Sequence, residues 1–124
     1  MALSTHYQKG APAGWEQNFI TAYAASHPWE DWAETWAHYL HMFDALETAA
    51  DCGFALVPRD GERPAAGATD GAPFQKMIDA WFPLTHALNN LNRGLGLPDA
   101  YPFVLSAPAI QKLRFVHETI APPA

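Results

Sequence analysis

Hydrophobic positions along the 124-residue chain repeat at helical rather than strand spacing. Trp15, Phe19, Ile20 and Tyr23 recur three to four residues apart between Gly14 and Ser26-His27-Pro28, which predicts a short amphipathic helix over Trp15–Ala25. The next run is uninterrupted by Gly or Pro from Trp29 to Asp51. Pro28 suits its first turn and Gly53 its stop, so a long central helix is expected. Phe74, Met77, Ile78, Trp81, Leu84, Leu88 and Leu91 lie on one side of a third helix over Phe74–Asn92, with a kink at Pro83 and a terminator at Gly94. Gly96 to Pro102 must turn or extend, because each proline pushes the residue before it out of helical geometry. Ser106 can cap a last helix over Ala107–Ile120, with Ile110, Leu113, Val116 and Ile120 as its buried stripe. Residues 58–73, rich in Gly, Pro and Ala, read as a mobile loop, and Ala121 to Ala124 as a fraying tail. No strand alternation or internal repeat is evident. The pattern predicts an all-α fold of about four helices in a single helical domain over residues 1–124.

Composition narrows the function. Hydrophobic residues make up 49% and charged residues 16%, enough to fill a core. Seven basic against thirteen acidic residues give a net charge of -6, a poor match to the phosphate backbone of nucleic acid. The one cysteine, Cys52, rules out an internal disulfide and any multi-cysteine zinc site, and makes a reducing, cytoplasmic setting the default expectation. No basic region followed by an apolar run opens the chain, and no stretch of about 18 apolar residues occurs, so neither an export signal nor a membrane span is expected.

At about 100° per residue, the long helix sorts its side chains into opposed faces. Trp29, Trp32, Trp36, Tyr39, Leu40 and Phe43 share one, which reads as core. The other carries Glu30, Ala33, Glu34, Ala37, His38 and His41. Such a strip can be plain surface, since acids in the first turns complement the helix dipole. Against that reading, Ala33 and Ala37 beside the carboxylates would let a second helix approach closely and bury a polar site. Carboxylate oxygen and neutral imidazole nitrogen both suit Zn²⁺, and an (i, i+4) pair can supply one ligand and one residue that orients a ligand.

Other constellations are absent or incomplete. The chain has no His-Glu-x-x-His; its one His-Glu pair, His117-Glu118, is followed by Ala121 where the second histidine should stand, and is expected to be a surface pair. Glu34 to His38 is one residue too long for the Glu-x-x-His of a di-iron bundle. His38-x-x-His41 lacks a third anchor. No Gly-rich phosphate loop or Gly-x-Ser-x-Gly elbow occurs. Cys52, at a helix C-terminus that disfavours the thiolate, is expected to be a small buried residue.

The stretch Ser26-His27-Pro28-Trp29-Glu30-Asp31-Trp32-Ala33-Glu34-Thr35-Trp36-Ala37-His38-Tyr39-Leu40-His41 resembles the C-terminal part of a family of bacterial zinc-binding metallopeptidases of the gluzincin-like type. His6-Tyr7, Asp44 to Ala49, Leu84 to Arg93 and Gly96 to Ser106 support the likeness. In that family the His-Glu-x-x-His helix lies upstream, and an acid from a following helix completes the zinc site through Glu-x-x-x-Asp/Glu. The resemblance therefore implies Glu30 as a Zn²⁺ ligand and Glu34 as the acid that orients a ligating histidine from behind. His38 and His41 match the motif, which leaves their role open: they stand behind the ligands, line the cleft or ligate weakly.

Two functions follow as expectations. In the first, the chain is the C-terminal portion of a zinc-dependent hydrolase of peptides, supplying Glu30 and a cleft wall to an upstream catalytic half. Alone it would lack the general base and two of three ligands, would not bind zinc tightly and would not cleave peptides. In the second, it is a non-catalytic helical interaction module, whose strip would take a partner helix or a second copy of the chain.

Overall fold

The computed structural model describes residues 2–54, 73–101 and 105–120. The predicted loop, apart from Pro73, and the fraying tail lie outside them. Among the described residues all regular structure is helical: α1 (Ala2–Lys9), α2 (Pro28–Asp51), α3 (Pro73–Gly94) and α4 (Ala107–Ile120), with short 3₁₀ turns at Trp15–Gln17 and Tyr23–Ser26. The class is all-α. The chain divides into two compact units, residues 1–41 with 104–124 and residues 42–103.

In the first unit, the start of α2 follows from local chemistry. Pro28 occupies the first turn, and the Trp29 N–H donates to His27 Nδ1 at 3.1 Å, so the imidazole satisfies an amide that has no partner inside the helix. At α4, Ser106 Oγ accepts the Ala109 N–H at 3.3 Å, as a capping residue should. The core here holds Ile20, Ala24, Tyr39, Leu105, Ala109, Leu113 and Val116. Ala109 takes a place in the α4 stripe, whereas Ile110 is half-buried and Ile120 exposed, contrary to expectation.

The expected helix over Trp15–Ala25 is replaced by the two 3₁₀ turns, and α1 forms where no helix was predicted. Polar side-chain chemistry breaks the helical path. The Asn18 carbonyl, which a helix would use internally, accepts from Lys112 Nζ at 2.8 Å, and Thr21 Oγ1 accepts the Ala24 N–H at 3.0 Å.

The aromatic stripe of α2 is split: of its six members only Tyr39 is core, and Trp36 is half-buried. Trp29 is 80% exposed, and Trp32, Leu40 and Phe43 are also exposed, while Thr35, His38 and Tyr39 are buried. Polar anchors set the rotation of the helix: Lys112 Nζ reaches Asp31 Oδ2 at 2.7 Å while lying 4.4 Å over the Phe19 ring, and the Tyr39 hydroxyl pairs with His117 Nδ1 at 2.9 Å. Those bonds turn the ridge containing Asp31, Thr35, His38 and Tyr39 inward, so Trp29 and Trp32 face out.

In the second unit α2 ends on Gly53, whose φ of 66° is the left-handed conformation glycine adopts without strain. The Gly53 N–H donates to the Ala50 carbonyl at 3.0 Å and the Phe54 N–H to Ala49 at 2.8 Å, a Schellman ending. α3 ends in the same way two residues later than predicted, on Gly96 (φ 75°) rather than Gly94, with the Leu97 N–H returning to Asn92 at 2.8 Å. The buried side of α3 is Phe74, Ile78, Trp81, Thr85 and Asn89. Leu88 and Leu91, expected on that side, are exposed because Asn89 is drawn inward by the following segment. Asn89 Oδ1 accepts the N–H groups of Ala100 (2.9 Å) and Tyr101 (3.2 Å), and its Nδ2 donates to the Tyr101 carbonyl at 2.8 Å. Tyr101 then packs edge-on against Trp81, ring centroids 5.1 Å apart.

Candidate functional site

The acid and imidazole strip belongs to the part of α2 in the first unit. Glu30 and Glu34 are one turn apart and both half-buried; Ala33 and His41 are exposed, Ala37 is half-buried and His38 buried.

Glu34 is held from outside α2. Its Oε2 accepts from the Thr21 hydroxyl at 3.0 Å, and His38 Nε2 lies 4.0 Å from the same oxygen. The Glu34 side chain nevertheless keeps 30% of its surface. Burial pushes the His38 pKa below its ordinary value; the Glu34 charge opposes that shift and His41 adds to it. The His38 and His41 rings are 6.0 Å apart, centroid to centroid, and tilted by 50°.

Glu30 lies near a second group. The Tyr23 phenol has its pKa pushed up to about 12, chiefly by a hydrogen bond with the Tyr7 side chain, then by partial desolvation and the negative charge of Glu30. His6 stacks edge-on against both phenols, its ring 6.0 Å from each. Thr21 and Tyr23 thus join the strip from the segment expected to be an ordinary helix, and Tyr7 from α1. Their individual sequence signals were weak: Thr21 is an isolated hydroxyl, and only the His6-Tyr7 pair marked the N-terminal segment.

Among the described residues, no group of three His, Cys, Asp or Glu side chains could by itself hold a metal ion. Two carboxylates at the open edge of a helix fit a partial contribution to a zinc site: hard oxygen donors, one of them already oriented by a hydroxyl. Two other expectations are corrected. Cys52 is exposed, since the Schellman ending turns the chain at the helix surface. His117 is half-buried through its bond to Tyr39, so only Glu118 of that pair is surface.

This is an all-helical protein with a carboxylate and imidazole strip on its longest helix. The family described as "Putative zinc-binding metallo-peptidase" matches residues 1–119, and the chain belongs to that family. Similar proteins include an uncharacterized protein of Mycobacterium bovis and uncharacterized proteins from two strains of Mycobacterium tuberculosis, each 49% identical over 119 residues. The match covers 96% of this chain and 34% of each relative, so the chain spans about a third of their length. No solved structure matches.

Proposed function

We propose that this chain is the C-terminal portion of a zinc-dependent metallopeptidase, supplying Glu30 as the third protein ligand and the wall of the cleft. Glu34 orients a histidine ligand borne by an upstream helix, and His38 and His41 line the cleft beside it. The observation that carries this reading is the oriented Glu34 one turn from Glu30, with small alanines between and beyond them, in a chain of this family. Bound zinc would polarise a peptide carbonyl and activate water. This chain's own acids hold and orient; the general base belongs to the His-Glu-x-x-His helix, a motif this sequence does not contain. Acting alone, the chain binds zinc weakly and does not hydrolyse peptides. The single cysteine fits a reducing, cytoplasmic setting, and no helix among the described residues is long and apolar enough to cross a membrane.

The test is zinc stoichiometry and affinity after metal stripping and re-addition, in this chain and in the full-length gene product that carries it, each with Glu30→Gln alongside. The expectation is little tight zinc in this chain, one zinc in a complete protein, and at least about a tenfold loss of affinity in the variant. Unchanged affinity would remove Glu30 from the site. A full zinc held tightly by this chain alone, and lost in the variant, would mean a complete site built with His38, His41 or a second copy.

A second reading, a non-catalytic helical interaction module, is favoured by the exposed Trp29, Trp32, Leu40 and Phe43 on α2. A specific partner helix, or self-association, without zinc dependence would select it.

A further inference from the structure

The segment that leaves the helical path between the two 3₁₀ turns carries Thr21 to α2. Its hydroxyl makes two contacts of opposite sense. Oγ1 accepts the Ala24 N–H at 3.0 Å, and the hydroxyl proton goes to Glu34 Oε2, also at 3.0 Å. A hydroxyl has one proton and can accept at its lone pairs. With the Ala24 amide occupying the acceptor side, the proton is directed toward Glu34. In a continuous helix the same hydroxyl would turn back on a carbonyl one turn earlier. The break in the helix and the bond to Glu34 are therefore one arrangement.

We infer that Thr21 is a positioning residue for the metal site: it fixes the Glu34 carboxylate by engaging one oxygen and leaves the other to accept the N–H of a metal-binding imidazole. This rests on the reading of Glu30 and Glu34 proposed above. A carboxylate that orients a ligand must present one oxygen in a fixed place, and a half-exposed glutamate with three free torsions does so only if something holds it. Thr21 reaches Glu34 from 13 residues earlier in the chain, so the constraint is tertiary and does not depend on the α2 backbone. Ser26, in the turn that follows, donates from Oγ to the Tyr23 carbonyl at 2.6 Å and stiffens the same segment.

The experiment measures zinc affinity by competition with a chromophoric chelator in the full-length gene product, using zinc alone as the probe. Variants are Thr21→Val, Thr21→Ser, Glu34→Gln, the Thr21→Val/Glu34→Gln pair and Glu30→Gln. Thr21→Val is expected to weaken zinc about tenfold, in the range found when a group behind a ligand is removed. Thr21→Ser, which keeps the hydroxyl, restores the affinity; a merely structural loss of the threonine methyl would not follow that pattern. The pair is expected to be little weaker than Glu34→Gln alone, because both changes remove one interaction. Thr21→Ala replaces valine if a methyl group in place of the hydroxyl prevents folding. Should Glu30→Gln and Glu34→Gln weaken zinc while Thr21→Val does not, the inference falls and the proposed function stands. Full additivity in the pair would also overturn it. If Glu30→Gln itself leaves zinc unchanged, the metal reading fails and this inference with it.

Discussion

Two polar side chains, Asn89 on α3 and Glu34 on α2, are both drawn in from the surface, and they are used in opposite ways. Asn89 is buried and closed: its oxygen takes two backbone N–H groups and its nitrogen serves a backbone carbonyl. Glu34 is held by a hydroxyl at one oxygen and remains partly exposed. A carboxylate has acceptor capacity for about four hydrogen bonds. The difference separates a group whose bonds all go to the fold from one that stays partly open to solvent. Asn89 locks the return of residues 98–101 onto α3, where Asn92 Nδ2 also donates to the Pro98 carbonyl at 3.2 Å. Thr21 orients Glu34 but does not enclose it.

Breaking the closed member should have the larger effect. Asn89→Ala removes three hydrogen bonds and leaves partly buried backbone groups of Ala100 and Tyr101 without their partner, at a cost of about 3 kcal/mol. The check is the midpoint of urea unfolding. A loss below about 0.5 kcal/mol would mean the segment is held by the Tyr101 ring against Trp81 instead.

The outward face of α2 sharpens the comparison. Read by periodicity, Trp29 belongs to a core, where truncation costs about 3–5 kcal/mol. At 80% exposure, Trp29→Ala should change stability by no more than about 0.5 kcal/mol. Chemical unfolding of this chain decides between the two. A core-sized loss would show that another helix, or a second copy, covers this face in solution, and would favour the interaction reading over the catalytic one.

These two cases also show what could be read in advance. α2, α3 and α4 were legible because their boundaries are local: Pro28, Gly53 and Ser106 each act within a turn of where they stand. The rotation of α2 was not, because aromatic spacing identifies a stripe but not whether polar bonds elsewhere will outcompete it. Asp31 with Lys112, and Tyr39 with His117, lie 81 and 78 residues apart, and those pairs turn the helix. The Trp15–Ala25 expectation failed for a similar reason, since Lys112 takes the Asn18 carbonyl across 94 residues. α1 carried little apolar periodicity to betray it. Glu30 and Glu34 were singled out through their spacing, the alanines and the family likeness, whereas the bond from Thr21 to Glu34 comes from a turn that local propensity does not encode.

The smallest effect distinguishes a neutral tether from a charged one within the same return segment. Arg93 donates from Nε to Asp99 Oδ1 and from Nη2 to Oδ2, both at 2.6 Å, and this exposed pair holds the Asp99 carboxyl below its ordinary value. The main cause is the Arg93 hydrogen bonding. Since the folded state disfavours protonation of Asp99, its contribution is present above the unfolded pKa of about 3.9 and is lost as pH falls through the lower folded value. Asp99→Asn should therefore flatten part of the fall in unfolding midpoint below about pH 4, with little change near neutrality, where solvent already screens the pair. Asn89 has no proton to gain in that range, so Asn89→Ala should lower the midpoint while leaving the Asp99-dependent slope in place wherever the return segment stays docked. Superimposable acid profiles for the native chain and Asp99→Asn would mean that Asn89 and Asn92 hold the return and that the Arg93–Asp99 pair adds nothing to folding.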